Sequence, residues 1–205
     1  MEQQGPGAGA ADDLIVADAG VWREWLARHH EESAGVWLVL ARKGTTQPTR
    51  LTYDEALDEA LCQGWIDSRM SRRDQVTFRL RFTPRRPRGR WSRGNVSRVE
   101  RLTAEGRMCP AGLREVEMAL ADGRWDAAYA GMREIEVPPD LAAALEAVPA
   151  ARAAFGTLSA QNRYAVLFRV TTARRPDTRA RRISRLVAML GRGETPYPRR
   201  EPPGI

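Results

Sequence analysis

The stretch FTPRRPRGRWSRGN, residues 82–95, gathers five arginines and a tryptophan. A guanidinium is planar, always charged and shaped for two-point capture of a phosphate or carboxylate. Pro84 and Pro87 fix φ on either side of Arg85 and Arg86, so the loop is restricted before anything binds. Trp91 offers a flat face for a nucleic-acid base or for an arginine plane. Asn95, near the predicted start of the next helix, is counted with this surface. Two structural roles compete with binding: Trp91 can plug the core, and the arginines can pair with acids elsewhere in the chain. The functional readings are a pocket for an anionic ligand and sequence-independent contact with nucleic acid.

Asp67 is the carboxylate to weigh beside that loop. It follows Trp65 and Ile66 in a predicted strand, so Trp65 and Asp67 share one face and Ile66 takes the other. A carboxylate beside a bulky aromatic either meets an arginine or has a raised pKa. Arg79, Arg81, Arg85 and Arg86 lie close in sequence, which favours an ion pair; a general base at a pocket mouth is the sharper alternative. A second basic stretch puts Arg175, Arg179 and Arg182 at i, i+4 and i+7, on one face of a predicted helix. Arg163, beside Asn162 and Tyr164, could add polar groups if the two stretches met.

Other chemistry is thin. His29 and His30 are adjacent, so on a helix they point about 100° apart and do not chelate one metal. The chain contains no nucleophile-elbow, phosphate-loop or dinucleotide glycine motif. Cys62 follows Leu61 on an apolar helix face and reads as core. Cys109 precedes Pro110 without a basic partner in view. No complete catalytic set, metal site or cofactor is expected.

Charge is segregated. Of the 33 basic residues only Lys43 is a lysine. Residues 71–101 carry a local +9 and residues 174–185 a local +5, leaving the rest of the chain at −7 against a net +7. That pattern fixes where an anion would go. The N-terminal MEQQGPGAGAADD has neither the basic nor the apolar region of a secretory signal. VWLVLA (36–41) falls far short of the roughly 20 residues that span a membrane. A cytoplasmic protein with reduced thiols and no membrane insertion is expected.

The elements that must position these residues are legible in part. Asp18 reads as the N-cap of a helix with Val21, Trp22, Trp25 and Leu26 on one face. VWLVLA is a buried strand. Thr52–Glu55 is a capping box, with Gly64 as the stop of its helix. Residues 65–70 and 76–82 form a hairpin with Phe78, Leu80 and Phe82 inward and Thr77, Arg79 and Arg81 outward. Helices follow near Asn95 and from Pro110, the latter with Leu113, Val116 and Leu120 inward. RWDAAYAGM is a short helical piece, and further helices open at 137–140, after Ser159 and over 176–190. The fold class is α+β: a small, mostly antiparallel sheet flanked by helices, then a helical C-terminal part. The expected layout is a disordered N-terminus over 1–13, a core with the basic loop over 14–130, a helical part packed on it over 131–192, and a Pro-rich tail over 193–205.

The segments ALCQGWIDS, RFTPRRPRGRWSRGN, GRMCPAG, DGRWDAAY and NRYAVLFRVTTARRPDTRARRI resemble, in that order, the YdeI/OmpD-associated bacteriocin-protection family. The resemblance runs from about Trp22 to Gly191. Relatives tend to read Lys-Ser-x-Trp-Ser after the proline-bracketed arginines, where this chain has Gly89 and Arg90 in the Ser-x positions; many carry an aromatic at the place of Gln63. The resemblance implies a cytoplasmic bacterial protein linked to stress or peptide-toxin tolerance, and it supplies no reaction. The expected partner is a small anionic ligand or an acidic protein, with nucleic acid as the first alternative. An enzyme acting on a phosphorylated or carboxylated small molecule, with Asp67 as base, is the second.

Overall fold

The computed structural model describes residues 13–132 and 134–198. The expected N-terminal disorder over 1–12 and the last residues of the Pro-rich tail lie outside them. The chain divides into two compact units, Met1–Ala128 and Tyr129–Ile205.

The first unit is an α+β layer. Its sheet has the order β1 (Asp13–Leu14), β2 (Val36–Ala41), β4 (Thr77–Pro84), β3 (Trp65–Arg72). β1 runs parallel to β2, and the other pairings are antiparallel. Asp13, expected in the frayed segment, is therefore the first residue of a strand. Leu38, Leu40, Leu80, Phe82 and Trp65 point to one face of the sheet and pack with α1 (Ala19–His29) and α2 (Tyr53–Cys62). Asp18 caps α1 through its carboxylate, and Thr52 with Glu55 forms the capping box of α2. The buried indoles of Trp22 and Trp65 donate to the Ala56 and His30 carbonyls, so neither leaves an unmet polar group in the core.

α3 (Arg93–Ala104) starts two residues before Asn95 because the Ser92 hydroxyl accepts the Asn95 N–H. α4 (Pro110–Ala121) comes so close to the end of α2 that a Cβ on Gly112 would collide with the Cys62 carbonyl oxygen. That approach sets the rotation of α4. Gly112 and Ala119 are buried, while Leu113 and Leu120, expected inward, are exposed. Small residues bring the helix close and Val116 packs against the core as expected, while Leu113 and Leu120 are turned out. Thr77, expected outward, is buried too, its hydroxyl and N–H both bonded to Asp74. Val21 is exposed where Trp22 and Leu26 are not. Residues 124–127 form turns, not the expected helical piece.

The second unit is helical: α5 (Pro139–Glu146), α6 (Pro149–Gly156), α7 (Ala160–Thr171) and α8 (Pro176–Gly191). Three of the four open on proline, whose missing N–H costs nothing in a first turn. α6 was not expected from the sequence. Its Phe155 packs with Leu141, Val166, Ile183, Leu186 and Leu190 in one apolar core. Ser159 caps α7 as its position suggested. The Asn162 side chain exchanges two hydrogen bonds with the backbone of Tyr197, so the described start of the Pro-rich tail is held against α7.

Candidate anion-binding site

The sheet face away from the helices is built by β2, β3 and β4. Trp37 stands opposite Arg81, and Ile66 opposite Thr83. Between Asp67 and Met70 the pairing of β3 slips, so that Ser68 and Arg69 both face the single residue Arg81. Such a bulge bends a strand and re-aims its side chains. The Ser68 hydroxyl donates to the Arg81 carbonyl at 3.1 Å and closes the irregularity. The result is a half-open cleft of about 620 Å3 with Trp37, Ile66 and Thr83 along its floor. Arg69, Arg81, Arg85, Arg86 and Arg90 line it, and among the described residues no carboxylate does.

The basic loop forms one wall. The Arg85 N–H donates to the Gly64 carbonyl at 3.0 Å, and the Gly89 N–H to the Arg86 carbonyl at 2.8 Å. Pro87 and Arg88 occupy the centre of that tight turn, Arg88 at φ 65°, a conformation a side chain rarely adopts. Arg124, itself paired with Asp122, donates to the Gly89 carbonyl at 3.0 Å and ties the turn down. The loop is thus held by hydrogen bonds as well as by its prolines.

Arg85 and Arg86 part company there. Arg86 is exposed, whereas Arg85 is 7 % exposed with its guanidinium 3.5 Å from the centre of the Trp91 ring. Trp91 is 2 % exposed and leans on Trp125 at 4.9 Å. The tryptophan therefore takes an arginine plane, one of the two partners its ring could serve, and is closed to a base. It supports the wall from behind. Trp65 is a core indole and Asn95 gives its backbone N–H to Ser92; neither is among the residues lining the cleft. Arg85 also lines a second hollow that holds Glu115, whose pKa burial pushes up while Arg85, Arg124 and Arg114 pull it back.

Asp67 corrects an expectation. It shares the helix-covered face with Trp65 and Phe82, while Arg79 and Arg81 point to the other. No ion pair reaches it among the described residues; its carboxylate accepts from the Tyr53 hydroxyl at 3.3 Å. Burial raises its pKa, against the Tyr53 hydrogen bond and the more distant charges of Arg85 and Arg98. Tyr53 is pushed up to about 12, first by burial and then by Asp67. Strand alternation is the cause: the arginines nearest in sequence are on the wrong side of the sheet. Asp67 does not line the arginine cleft.

Arg163, Arg179 and Arg182 belong to the second unit. Arg179 is bidentate to Asp140, at 2.6 and 2.8 Å, and also donates to the Val170 carbonyl. Arg182 donates to the Arg169 carbonyl, and Arg163 lies over the Phe155 ring at 4.4 Å. These contacts bind α8 to α5 and α7, and α7 to α6. Residues 134–193 match the family described as bacteriocin-protection, YdeI or OmpD-associated. The YdeI/OmpD-associated match thus takes in the helices of the second unit and the last motif of the resemblance. Residues 14–115, which carry the basic loop and the cleft, match a domain of unknown function (DUF8412). No curated protein and no solved structure matches the chain.

Trp37, Ser68, Arg69 and Arg90 were not singled out from the sequence. For Arg81 a signal existed, since alternation places it outward with Arg79. Arg79, however, is spent on Asp13 at 3.0 Å and on the Trp37 ring at 4.9 Å. Arg69 was hidden by the bulge, because strict alternation assigns it to the side of Asp67. Among the described residues no group of His, Cys, Asp and Glu is placed to hold a metal, and no helix is long and apolar enough to cross a membrane.

Proposed function

We propose that this is a cytoplasmic, non-enzymatic binding protein that takes an anionic, phosphate- or carboxylate-bearing ligand in the arginine cleft of its first unit. One observation carries the reading: Arg69, Arg81 and Arg86 line one cleft and have no carboxylate at ion-pair distance among the described residues. Other arginines of the same unit are matched with acids, as Arg23 and Arg107 are with Glu59. Cations left together without acids repel one another, and a bound anion relieves that repulsion. Among the described residues the cleft lining offers hydroxyls from Ser68 and Thr83 to orient a ligand, but no imidazole, thiol or carboxylate to move a proton. This favours binding over turnover. With Trp91 closed beneath Arg85, the nucleic-acid alternative loses the stacking platform it counted on. The family description, bacteriocin protection, suggests toxin tolerance as the setting.

Calorimetric titration with a nucleoside triphosphate and with an oligo-aspartate peptide tests the reading. Saturable binding by either is expected, weakened at least tenfold, about 1.4 kcal/mol, by Arg81→Ala with Arg86→Ala. Heats that stay at the level of dilution for both ligands at low salt would overturn it. Tighter binding to single-stranded DNA than to either, with the steep salt dependence of phosphate-backbone contact, would hand the site to nucleic acid.

A further inference from the structure

Away from the arginine cleft, Cys62 and Cys109 front one small hollow of about 300 Å3, shared with Arg23, Glu59, Gln63 and Arg107. Both are free thiols, Cys62 buried and Cys109 half-buried. Their backbones are joined: the Cys109 N–H donates to the Cys62 carbonyl at 3.1 Å. A single backbone N–H···O=C bond leaves its two Cα atoms roughly 5–6.5 Å apart, as across one helical turn or one strand pair. A disulfide bridges Cα separations of roughly 4.4–6.8 Å. The juncture is also rigid, because Gly112 lets the first turn of α4 seat directly on the last carbonyls of α2. Two free thiols on backbones bonded directly to each other, both fronting one opening: that combination goes beyond a pair of core cysteines.

We infer that Cys62 and Cys109 form a reversible disulfide when the protein meets a small-molecule disulfide of the glutathione type. The accessible Cys109 gives up its proton as its sulfur attacks one sulfur of the reagent RSSR; Cys109–S–S–R forms and the departing RS− takes that proton as RSH. Cys62 then attacks the Cys109 sulfur; the new S–S bond forms as the S–R sulfur departs, and the Cys62 proton goes to the leaving RS−. Two protein thiols are oxidised by two electrons and RSSR is reduced to two RSH. The order is set by burial, which closes Cys62 to the bulky reagent and pushes its thiol up to about 12. The crosslink ties the end of α2 to the start of α4. Next to that tie, Gly64 accepts the N–H of Arg85, so oxidation stiffens the anchor of the basic loop. The inference is independent of which ligand, if any, the cleft takes.

Oxidised glutathione added to the full chain tests it, read by intact mass and by a non-reducing digest. The expected product has lost two hydrogens, carries no glutathione and yields one peptide pair joined through Cys62 and Cys109; dithiothreitol restores both thiols. In Cys62→Ala the reaction stops at a glutathione adduct on Cys109, and in Cys109→Ser the buried Cys62 takes up nothing. Should Cys62→Ala fail to fold, Cys109→Ser and the wild-type digest decide alone. A stable glutathione adduct on wild-type Cys109, or two thiols still titratable after exposure, overturns the inference. A bridge between two molecules does the same.

Discussion

Arg98, Arg101 and Arg107 on the helical side of the first unit and Arg69, Arg81 and Arg86 on its sheet side are the same side chain under opposite terms. The first three sit in a ladder of acids. Arg98 reaches Asp54 and Asp58, Arg101 reaches Asp58 and Glu105, and Arg107 reaches Glu105 and Glu59. α2 supplies the acids Asp54, Asp58 and Glu59, and α3 answers with Arg98 and Arg101 one turn apart, so the two helices zip by charge. Among the described residues Arg69, Arg81 and Arg86 have no such answer. An arginine-rich segment is therefore two things at once here: part is mortar between helices, and part is charged surface without a matching acid among the described residues. The sequence window 71–101, with its local +9, mixes both.

The widest separation between the two regions is expected at Glu59. Its side chain is 4 % exposed and accepts from Arg23 and Arg107, each at 2.7 Å. Glu59→Gln keeps the shape and removes the charge beneath two guanidiniums. Breaking a buried pair costs about 3–5 kcal/mol. Arg23 is half in water and Arg107 keeps Glu105, so about 2 kcal/mol is expected here. Urea unfolding measures it. A loss below about 0.5 kcal/mol would mean that the ladder is solvated surface and the contrast with the cleft is empty.

Acid titration sharpens the contrast next. Glu105 in the ladder has its pKa lowered, first by the Arg101 hydrogen bond and then by Arg107. It contributes stability above its unfolded value, and that contribution is lost as pH falls through the lower folded one. Asp67, raised by burial, has the opposite sign. Its charged form penalises the fold above the folded pKa; the penalty fades as pH falls through that value and is gone below the unfolded 3.8. Asp67→Asn is expected to raise the melting temperature at neutral pH, with the gain vanishing toward the acid end of the window. A lower melting temperature at neutral pH would show that a favourable arginine interaction outweighs burial at this position.

How much of this was legible beforehand follows the range of the forces involved. Caps, proline starts and the capping box at Thr52 are local, and they placed α1, α2, α4 and α7 within a residue or two. The α+β class and the hairpin followed from periodicity. What failed depended on partners remote in sequence. Leu113 and Leu120 were assigned inward by apolar spacing, but the rotation of α4 is set by Gly112 against Cys62, 50 residues earlier. The ion pair expected at Asp67 failed because proximity along a chain says nothing of which sheet face an arginine takes. Arg69 was missed because a bulge cannot be read from WIDSRMSR; it exists in the pairing with β4. The loop and the stacking face of Trp91 are legible in the sequence; that Arg85 takes the ring while Arg86 stays exposed is not, because it needs three dimensions.

The smallest expected effect is the most discriminating. Arg81 and Arg86 make no side-chain hydrogen bond or ion pair within the described residues, so replacing both with alanine removes charge and little else. Unfolding free energy is expected to change by less than about 0.5 kcal/mol. At low ionic strength, where like charges feel each other beyond about 10 Å, the change should be a gain, and salt should erase it. Glu59→Gln behaves in the opposite sense, because it leaves cations uncompensated where the double alanine removes them. A destabilisation above about 1 kcal/mol by the double alanine, unaffected by salt, would show that these two side chains hold the sheet face together through their stems. The cleft would then be mortar like the ladder, and the distinction on which its binding role rests would be lost.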